Sequence, residues 1–172
     1  MVNCGALCET MSRPPTKTPK QSTKAPAKKF FDGRYEHALD AKRRLMVPAE
    51  WRQQMGNPGH LYIMPDFKEK CLVILPPAEM DKVLEKLQEM PLLDPDVSAA
   101  LACFGEHCER IDVDGAGRIR ISDAFLQFAN LETDAVLIGG VSRMRIWNPS
   151  YKPVMKQVNQ AGFAQALKFL GV

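Results

Sequence analysis

The sequence predicts an α+β protein built from two tandem copies of one small β-α-β unit, with helices joining and following the copies. Three observations lead there: a fixed offset at which the chain repeats itself, a period-two alternation that recurs in each copy, and apolar stripes at helical spacing between and after them. A shift of 74 residues lays Leu39-Asp40-Ala41-Lys42-Arg43-Arg44-Leu45-Met46-Val47 on Val113-Asp114-Gly115-Ala116-Gly117-Arg118-Ile119-Arg120-Ile121, matching the Asp, the Arg and the apolar positions. The same shift puts Trp51 on Phe125 and Gln53 on Gln127, and a shift of 72 puts Ile74-Leu75 on Ile146-Trp147. Internal repetition of this kind marks a duplicated supersecondary unit.

The elements follow in order. Residues 13–29, rich in Pro, Lys, Thr and Ala with no apolar period, cannot bury enough surface to offset their ordering entropy. They read as a flexible basic tail covering 1–29, either a phosphate-binding arm or a plain solvated extension, with Met11 as an alternative start. Tyr35, His37 and Leu39 then alternate with Glu36, Ala38 and Asp40, and Ile111 and Val113 with Arg110, Asp112 and Asp114, the period of a half-buried strand. After a tight turn, Leu45 and Val47, or Ile119 and Ile121, share one face of a second strand, which places Arg44 and Arg118 on the opposite, solvent-facing side. A short helix (Ala49-Met55; Asp123-Ala129), a strand (Leu61-Met64; Ala135-Ile138) and a last strand (Leu72-Leu75; Met144-Trp147) complete each copy.

Between the copies, Met80, Val83, Leu84 and Leu87 form a stripe within an expected helix at Ala78-Met90. A second helix is expected at Val97-Gly105, opened by Asp94 or Asp96. Tyr151, Val154, Met155 and Val158, then Phe163, Leu167 and Leu170, give terminal stripes with a phase slip near Gly162. Such stripes read first as intramolecular core and second as a subunit interface. The repeats so divided span 30–90 and 91–172.

Bulk properties narrow the class. The 172 residues are 45% apolar, enough for an ordinary core. No apolar run approaches the roughly 20 residues a bilayer requires, and no secretory signal is visible, so a cytoplasmic location is expected. The odd set Cys4, Cys8, Cys71, Cys103 and Cys108 fits reduced thiols. The net charge of +3 is uneven: the first 29 residues hold six of the 23 basic and one of the 20 acidic side chains, leaving 17 against 19 and a net of −2 in 30–172. Any nucleic-acid contact by the folded part must therefore come from a local basic surface.

That surface is found in the repeated Asp-x-x-x-Arg element. Asp40 and Asp114 can accept hydrogen bonds from turn amides, with Gly115 and Gly117 easing the second turn. The guanidinium beyond each is held on a stiff strand, where its fork suits a phosphate or a guanine edge. Lys42 and Arg43 enlarge the positive patch in the first copy and Arg120 does so in the second. The alternative is that each Asp-Arg pair only latches its own turn.

Gly33-Arg34-Tyr35, His37, Leu39-Asp40-Ala41-Lys42 and Arg44-Leu45-Met46-Val47-Pro48 resemble the first signature of the MraZ family, and Asp114-Gly115-Ala116-Gly117-Arg118-Ile119 its second, with Ile146-Trp147 a fitting end. The resemblance covers 30–172. It implies two AbrB-like swapped-hairpin units making a double-split β-barrel, assembly into a ring-shaped homo-oligomer, and transcriptional regulation by binding double-stranded DNA at short direct repeats upstream of a division and cell-wall gene cluster. It also implies a nucleoid-associated protein with Arg44 and Arg118 as DNA contacts and Lys42 beside them. Arg43 departs from the pattern, which has Gly before the Arg; in a left-handed backbone it would cost roughly 1–2 kcal/mol. Ser122 stands where the first copy has Pro48.

Other chemistries find less support. Cys103, His107 and Cys108 lack paired metal-ligand spacing. Gly115-Ala116-Gly117 lacks the third glycine of a dinucleotide loop, and none of His37, His60 and His107 neighbours a nucleophile. No catalytic activity, metal, cofactor or small-molecule substrate is expected. The competing reading is an assembly or protein-interaction module of the same fold that does not bind DNA.

Overall fold

The computed structural model describes Met1 and residues 30–91, 93–151 and 160–171. The basic tail at 2–29, with Cys4 and Cys8, and the Val154-Met155-Val158 stripe lie outside the described residues. The elements are β1 (Arg34–Ala38), β2 (Arg44–Met46), α1 (Ala49–Gln54), β3 (His60–Asp66), β4 (Cys71–Leu75), α2 (Pro77–Gln88), α3 (Pro95–His107), β5 (Glu109–Asp112), β6 (Arg118–Arg120), α4 (Asp123–Phe128), β7 (Asp134–Gly140), β8 (Arg143–Trp147) and α5 (Gln160–Leu170). Among the described residues the fold is mixed α+β with every strand pairing antiparallel.

Six strands form one sheet in the order β1-β7-β8-β4-β3-β5, and β2 and β6 form a separate two-stranded ribbon. The repeats exchange their first strands: β1 lies against β7, and β5 lies against β3. The registers reveal an internal two-fold. Leu45 faces Ile119 at the centre of the ribbon, with Arg44 opposite Arg120 and Met46 opposite Arg118. Val73 faces Arg145 at the centre of the sheet, with Leu72 opposite Ile146 and Ile74 opposite Met144. Both centres pair residues that the 74- and 72-residue shifts make equivalent, so one pseudo-dyad passes through both.

Alternation decides what the core receives. Leu45, Val47, Ile119 and Ile121 are buried from the ribbon, and Leu61, Ile63, Leu72, Ile74, Leu137, Met144 and Ile146 from the sheet. The short helices close the space between with Trp51 from α1 and its repeat counterpart Phe125 from α4. Trp51 is fully buried; Phe31 and Tyr35 meet its ring edge to face, and its Nε1 donates to the Asp32 carbonyl at 2.9 Å. Buried aromatic rings gain from such geometry beyond their area, and the indole N–H needs a partner. Gly139 lies so close to the backbone of Phe31 that a Cβ there would overlap it, which explains the absence of a side chain where the β1 lead-in crosses β7.

The connecting helices differ from expectation in their partners. Asp94 caps α3, accepting from the amides of Asp96 and Val97, which satisfies two of the orphan donors of the first turn. Met80 and Val83 of α2 and Phe104 of α3 pack on Val73 and Leu75. The remaining stripe residues are not core: Leu84 is 47% exposed, Phe163 of α5 is 61% exposed, and no residue of α3 is buried. Periodicity fixes which residues share a face, but only the chain's own surface supply decides whether that face is covered, and here it covers half of α2.

Candidate functional site

The two Asp-x-x-x-Arg turns meet at the β2–β6 ribbon. In the first, Asp40 Oδ1 accepts from the amides of Lys42 and Arg44 at 2.8 and 2.9 Å, and the Arg43 amide donates to the Asp40 carbonyl at 2.8 Å. In the second, Asp114 Oδ1 accepts from Ala116 and Arg118 at 3.0 and 2.9 Å, and the Gly117 amide donates to the Asp114 carbonyl at 2.7 Å. The side chain thus mimics a backbone acceptor and winds both turns identically. Gly115 lies exposed in the second turn. Both turns need one left-handed residue, Gly117 at φ +84° and Arg43 at φ +60°. Glycine takes that conformation freely and arginine does so with strain.

Arg44 and Arg118 do not project freely into solvent. Arg44 donates through Nε and Nη2 to Asp40 Oδ2, both at 2.7 Å, and its Nη1 stands 3.5 Å from Asp114. Arg118 mirrors it, with Nε 2.8 Å from Asp114 Oδ2 and Nη1 3.7 Å from Asp40. The four side chains form a crossed cluster that ties one repeat to the other, leaving the arginines 28% and 32% exposed. Strand alternation put them on the outer face, where each guanidinium is held by the Asp of its own turn and stands 3.5 Å (Arg44) or 3.7 Å (Arg118) from the Asp of the opposite repeat. The turn amides of Arg44, followed by its guanidinium and the Lys42 amide, hold the Asp40 carboxyl below the usual range, partly opposed by burial; Arg118 and Ala116 do the same to Asp114.

Around this cluster the remaining cations are uneven. Ala41, Lys42, Arg43, Arg44 and Arg120 line a solvent-open hollow of about 470 Å³. Lys42 and Arg120 are exposed and have no acidic partner among the described residues, while Arg43 Nε meets the exposed Asp123 at 3.0 Å. Two neighbours escaped the sequence reading. Asp123 opens α4 and faces Arg43 only because the ribbon brings the copies together. Arg52 of α1 lies over Gly117, its Nε donating to the Val47 carbonyl at 3.1 Å, and a Cβ on Gly117 would overlap the guanidinium. Its repeat counterpart is Leu126, so laying one copy on the other offered no signal for it.

The Cys103, His107 and Cys108 group is not arranged as a metal centre. His107 Nδ1 lies 2.9 Å from the Cys103 carbonyl and its ring packs on Phe67, and no group of three metal-ligating side chains occurs among the described residues. Among those residues, too, no helix is long and apolar enough to cross a membrane.

Residues 30–103 and 106–168 match the family model described as "MraZ protein, putative antitoxin-like". The chain belongs to the MraZ family. Proteins called "Transcriptional regulator MraZ" are similar to it in Clostridium tetani, 32% identical over 119 residues, covering 69% of this chain and 82% of the relative. One from Acetivibrio thermocellus is 32% identical over 121 residues, 70% of this chain and 82% of the relative. One from Desulfitobacterium hafniense (strain DSM 10664 / DCB-2) is 31% identical over 141 residues, 82% of this chain and 96% of the relative. The MraZ match takes in both Asp-x-x-x-Arg turns and the strands they join.

Proposed function

We propose that this chain is a cytoplasmic, nucleoid-associated transcription regulator that binds double-stranded DNA at short direct repeats upstream of a division and cell-wall gene cluster, without enzymatic activity. The observation that carries the reading is the collection of Lys42, Arg43, Arg44, Arg118 and Arg120, drawn from both repeats, on one two-stranded ribbon and the turn that leads into it. An antiparallel ribbon is narrow enough to enter a major groove, and cations on its exposed face can meet phosphates and base edges. The relatives' shared name supports regulation of transcription. In this reading 30–90 and 91–172 are AbrB-like repeats whose exchanged strands make a swapped-hairpin, double-split barrel, and 1–29 is a basic tail. Assembly into a ring of copies multiplies a ribbon charge that one chain of net −2 in its folded part supplies sparingly. Exposed Leu84, Leu93, Phe163 and Phe169 support such assembly, since large apolar side chains gain by being covered.

The test is binding of the purified protein to a labelled duplex carrying short direct repeats and to a scrambled duplex, at two salt concentrations. Preference for the repeats with a steep fall of affinity in salt is the expected result. The crossed Asp40, Arg44, Asp114 and Arg118 cluster favours a second reading, an assembly module whose arginines only latch the turns. Equal, weak and salt-insensitive binding of both duplexes by wild type, Arg44→Ala and Arg118→Ala would establish it.

A further inference from the structure

Charge in this chain is segregated by segment. Residues 77–109, which hold α2 and α3, carry eight acidic and two basic side chains, a net of −6, while residues 148–172 after the second repeat carry three lysines and no acid. The folded part as a whole is only −2, so its negative charge belongs to the helices that join the repeats. On α2 the outward row is Asp81, Glu85 and Glu89, with Leu84 beside it, and all four are exposed. Side chains at i and i+4 are neighbours, and like charges so placed destabilise a helix. Glu85 and Glu89 add to this cost by standing in the last turn and at the C-cap, where the macrodipole disfavours negative charge. Lys82 is taken by Glu79 at 2.6 Å, and none of the three acids has an ion-pair partner among the described residues.

We propose that this face of α2 is the docking surface for the chain's own basic segment 13–29, held by charge and released by salt. The complement is in the sequence: Arg13, Lys17, Lys20, Lys24, Lys28 and Lys29 fall in that segment, and no acid does. The fold roots the segment beside the surface. Phe31 bridges Val141 in the turn between β7 and β8, and the pairing of Ile74 with Met144 brings the end of β4, and so the start of α2, to the same end of the sheet. The order β1-β7-β8-β4 sets the two about three strand spacings, roughly 15 Å, apart. The Asp40 turn follows the opposite end of β1. Lys24 precedes Phe31 by a length of chain that extends up to roughly 23 Å, enough to meet the first turns of α2. Lys20 and Lys24 stand about 12 Å apart in an extended, proline-rich chain, and Asp81 and Glu89 about 12 Å apart along the helix. Lysine stems can lie on Leu84 while their ammonium groups reach the carboxylates, which leaves Leu93, Phe163 and Phe169 for contact between copies. Each exposed pair is weak, but attachment to the same chain keeps the segment's local concentration high, so several pairs together hold it. Docked, the segment nearly cancels the charge of the joining helices, and the positive charge left uncompensated is that of the two repeats.

Carbodiimide coupling tests this, since it joins an ammonium to a carboxylate only where the two meet. Isotopically light and heavy copies of the full chain are mixed in urea, refolded together and coupled at about 0.01 M and about 1 M salt, where the screening length is about 30 Å and about 3 Å. Mass spectrometry is expected to find Lys17, Lys20 or Lys24 joined to Asp81, Glu85 or Glu89 at low salt, in light-light and heavy-heavy pairs, and on the order of tenfold less often at high salt. An Asp81→Asn, Glu85→Gln, Glu89→Gln variant, checked for fold by circular dichroism, is expected to be cut by trypsin within 13–29 on the order of tenfold faster than wild type at low salt and at the same rate at high salt. Couplings in light-heavy pairs as often as in like pairs would give the surface to the segment of a neighbouring copy, and couplings from Lys152, Lys156 or Lys168 in place of the tail would give it to the C-terminal segment; either would overturn the assignment to the chain's own tail. Absence of coupling at low salt, or equal trypsin rates in variant and wild type, would leave this face of α2 bare and overturn the proposal outright.

Discussion

Arg43 separates backbone strain from charge in a way that two substitutions can measure. Arg43→Ala and Arg43→Gly both remove the guanidinium and its 3.0 Å contact with Asp123, so that contribution cancels between them. Both ends of the pair are more than half exposed, which keeps the contact at a few tenths of a kcal/mol in any case. What remains is the left-handed backbone at φ +60°. Alanine keeps the steric cost of about 1–2 kcal/mol for an L-residue in this region. Glycine escapes it but enlarges the unfolded ensemble, at about 0.4–1 kcal/mol. The glycine variant is therefore expected to be the more stable by roughly 1 kcal/mol, a Tm difference of about 2–4 °C for a chain of this size. Urea unfolding followed by circular dichroism at one protein concentration reads the difference as a shift in midpoint at unchanged slope. An alanine variant as stable as the glycine variant would refute the strain argument.

Further outcomes follow from the core and the turns. Asp40 and Asp114 titrate below their ordinary value of 3.8 in the folded protein, so their contribution is complete above the unfolded value and lost as pH falls through the folded one. The urea midpoint is expected to drop below about pH 4, and an Asp40→Asn, Asp114→Asn double variant to show a shallower acid limb; parallel limbs would show that the carboxylates do not sense folding. Trp51→Ala removes a fully buried ring and is expected to cost about 3–5 kcal/mol in the same assay, with a cost under about 1 kcal/mol contradicting the packing described. Gly139→Ala is expected to cost at least about 1–3 kcal/mol because its Cβ meets the immovable backbone of Phe31. Gly59→Ala, whose Cβ meets nothing, is expected to stay within about 0.5 kcal/mol, and equal effects at the two glycines would argue against the close crossing.

Much of this architecture was legible in the residues. Alternation located β1, β2, β5 and β6, and the repeat offset β3, β4, β7 and β8, within about two residues of their ends, and alternation assigned Leu45, Val47, Ile119 and Ile121 to the buried face. Asp94 and Asp96 were both legible as helix openers, and the structure gives the cap to Asp94, whose carboxylate serves two amides at once. Strand partners were beyond the reach of periodicity, which says which side chains point inward but not which strand lies alongside. For the same reason the outer face of Arg44 could be read and its second carboxylate, Asp114, could not: that contact joins residues 70 apart and exists only through β2–β6 pairing. Arg52 was missed because its sister position is Leu126, and a comparison of repeats highlights what the copies share.

The exchange of first strands also sets a timetable for synthesis. Arg34 of β1 is paired to Ile138 of β7, and a ribosome adding about 5–20 residues per second releases the second roughly 5–20 s after the first. Through that interval β1 has no native strand partner, and for the first part of it, until β5 is made, neither does the edge of β3 that awaits β5. On a crowded message, an adjacent nascent chain carrying the same open edges is the nearest substitute. A fragment ending after α2 is accordingly expected to pair with itself or to stay unfolded, and a monomeric, cooperatively folded fragment of residues 30–90 would contradict this. Completion of β7 and β8 is then the step at which each chain ceases to need its neighbours' strands and keeps its own.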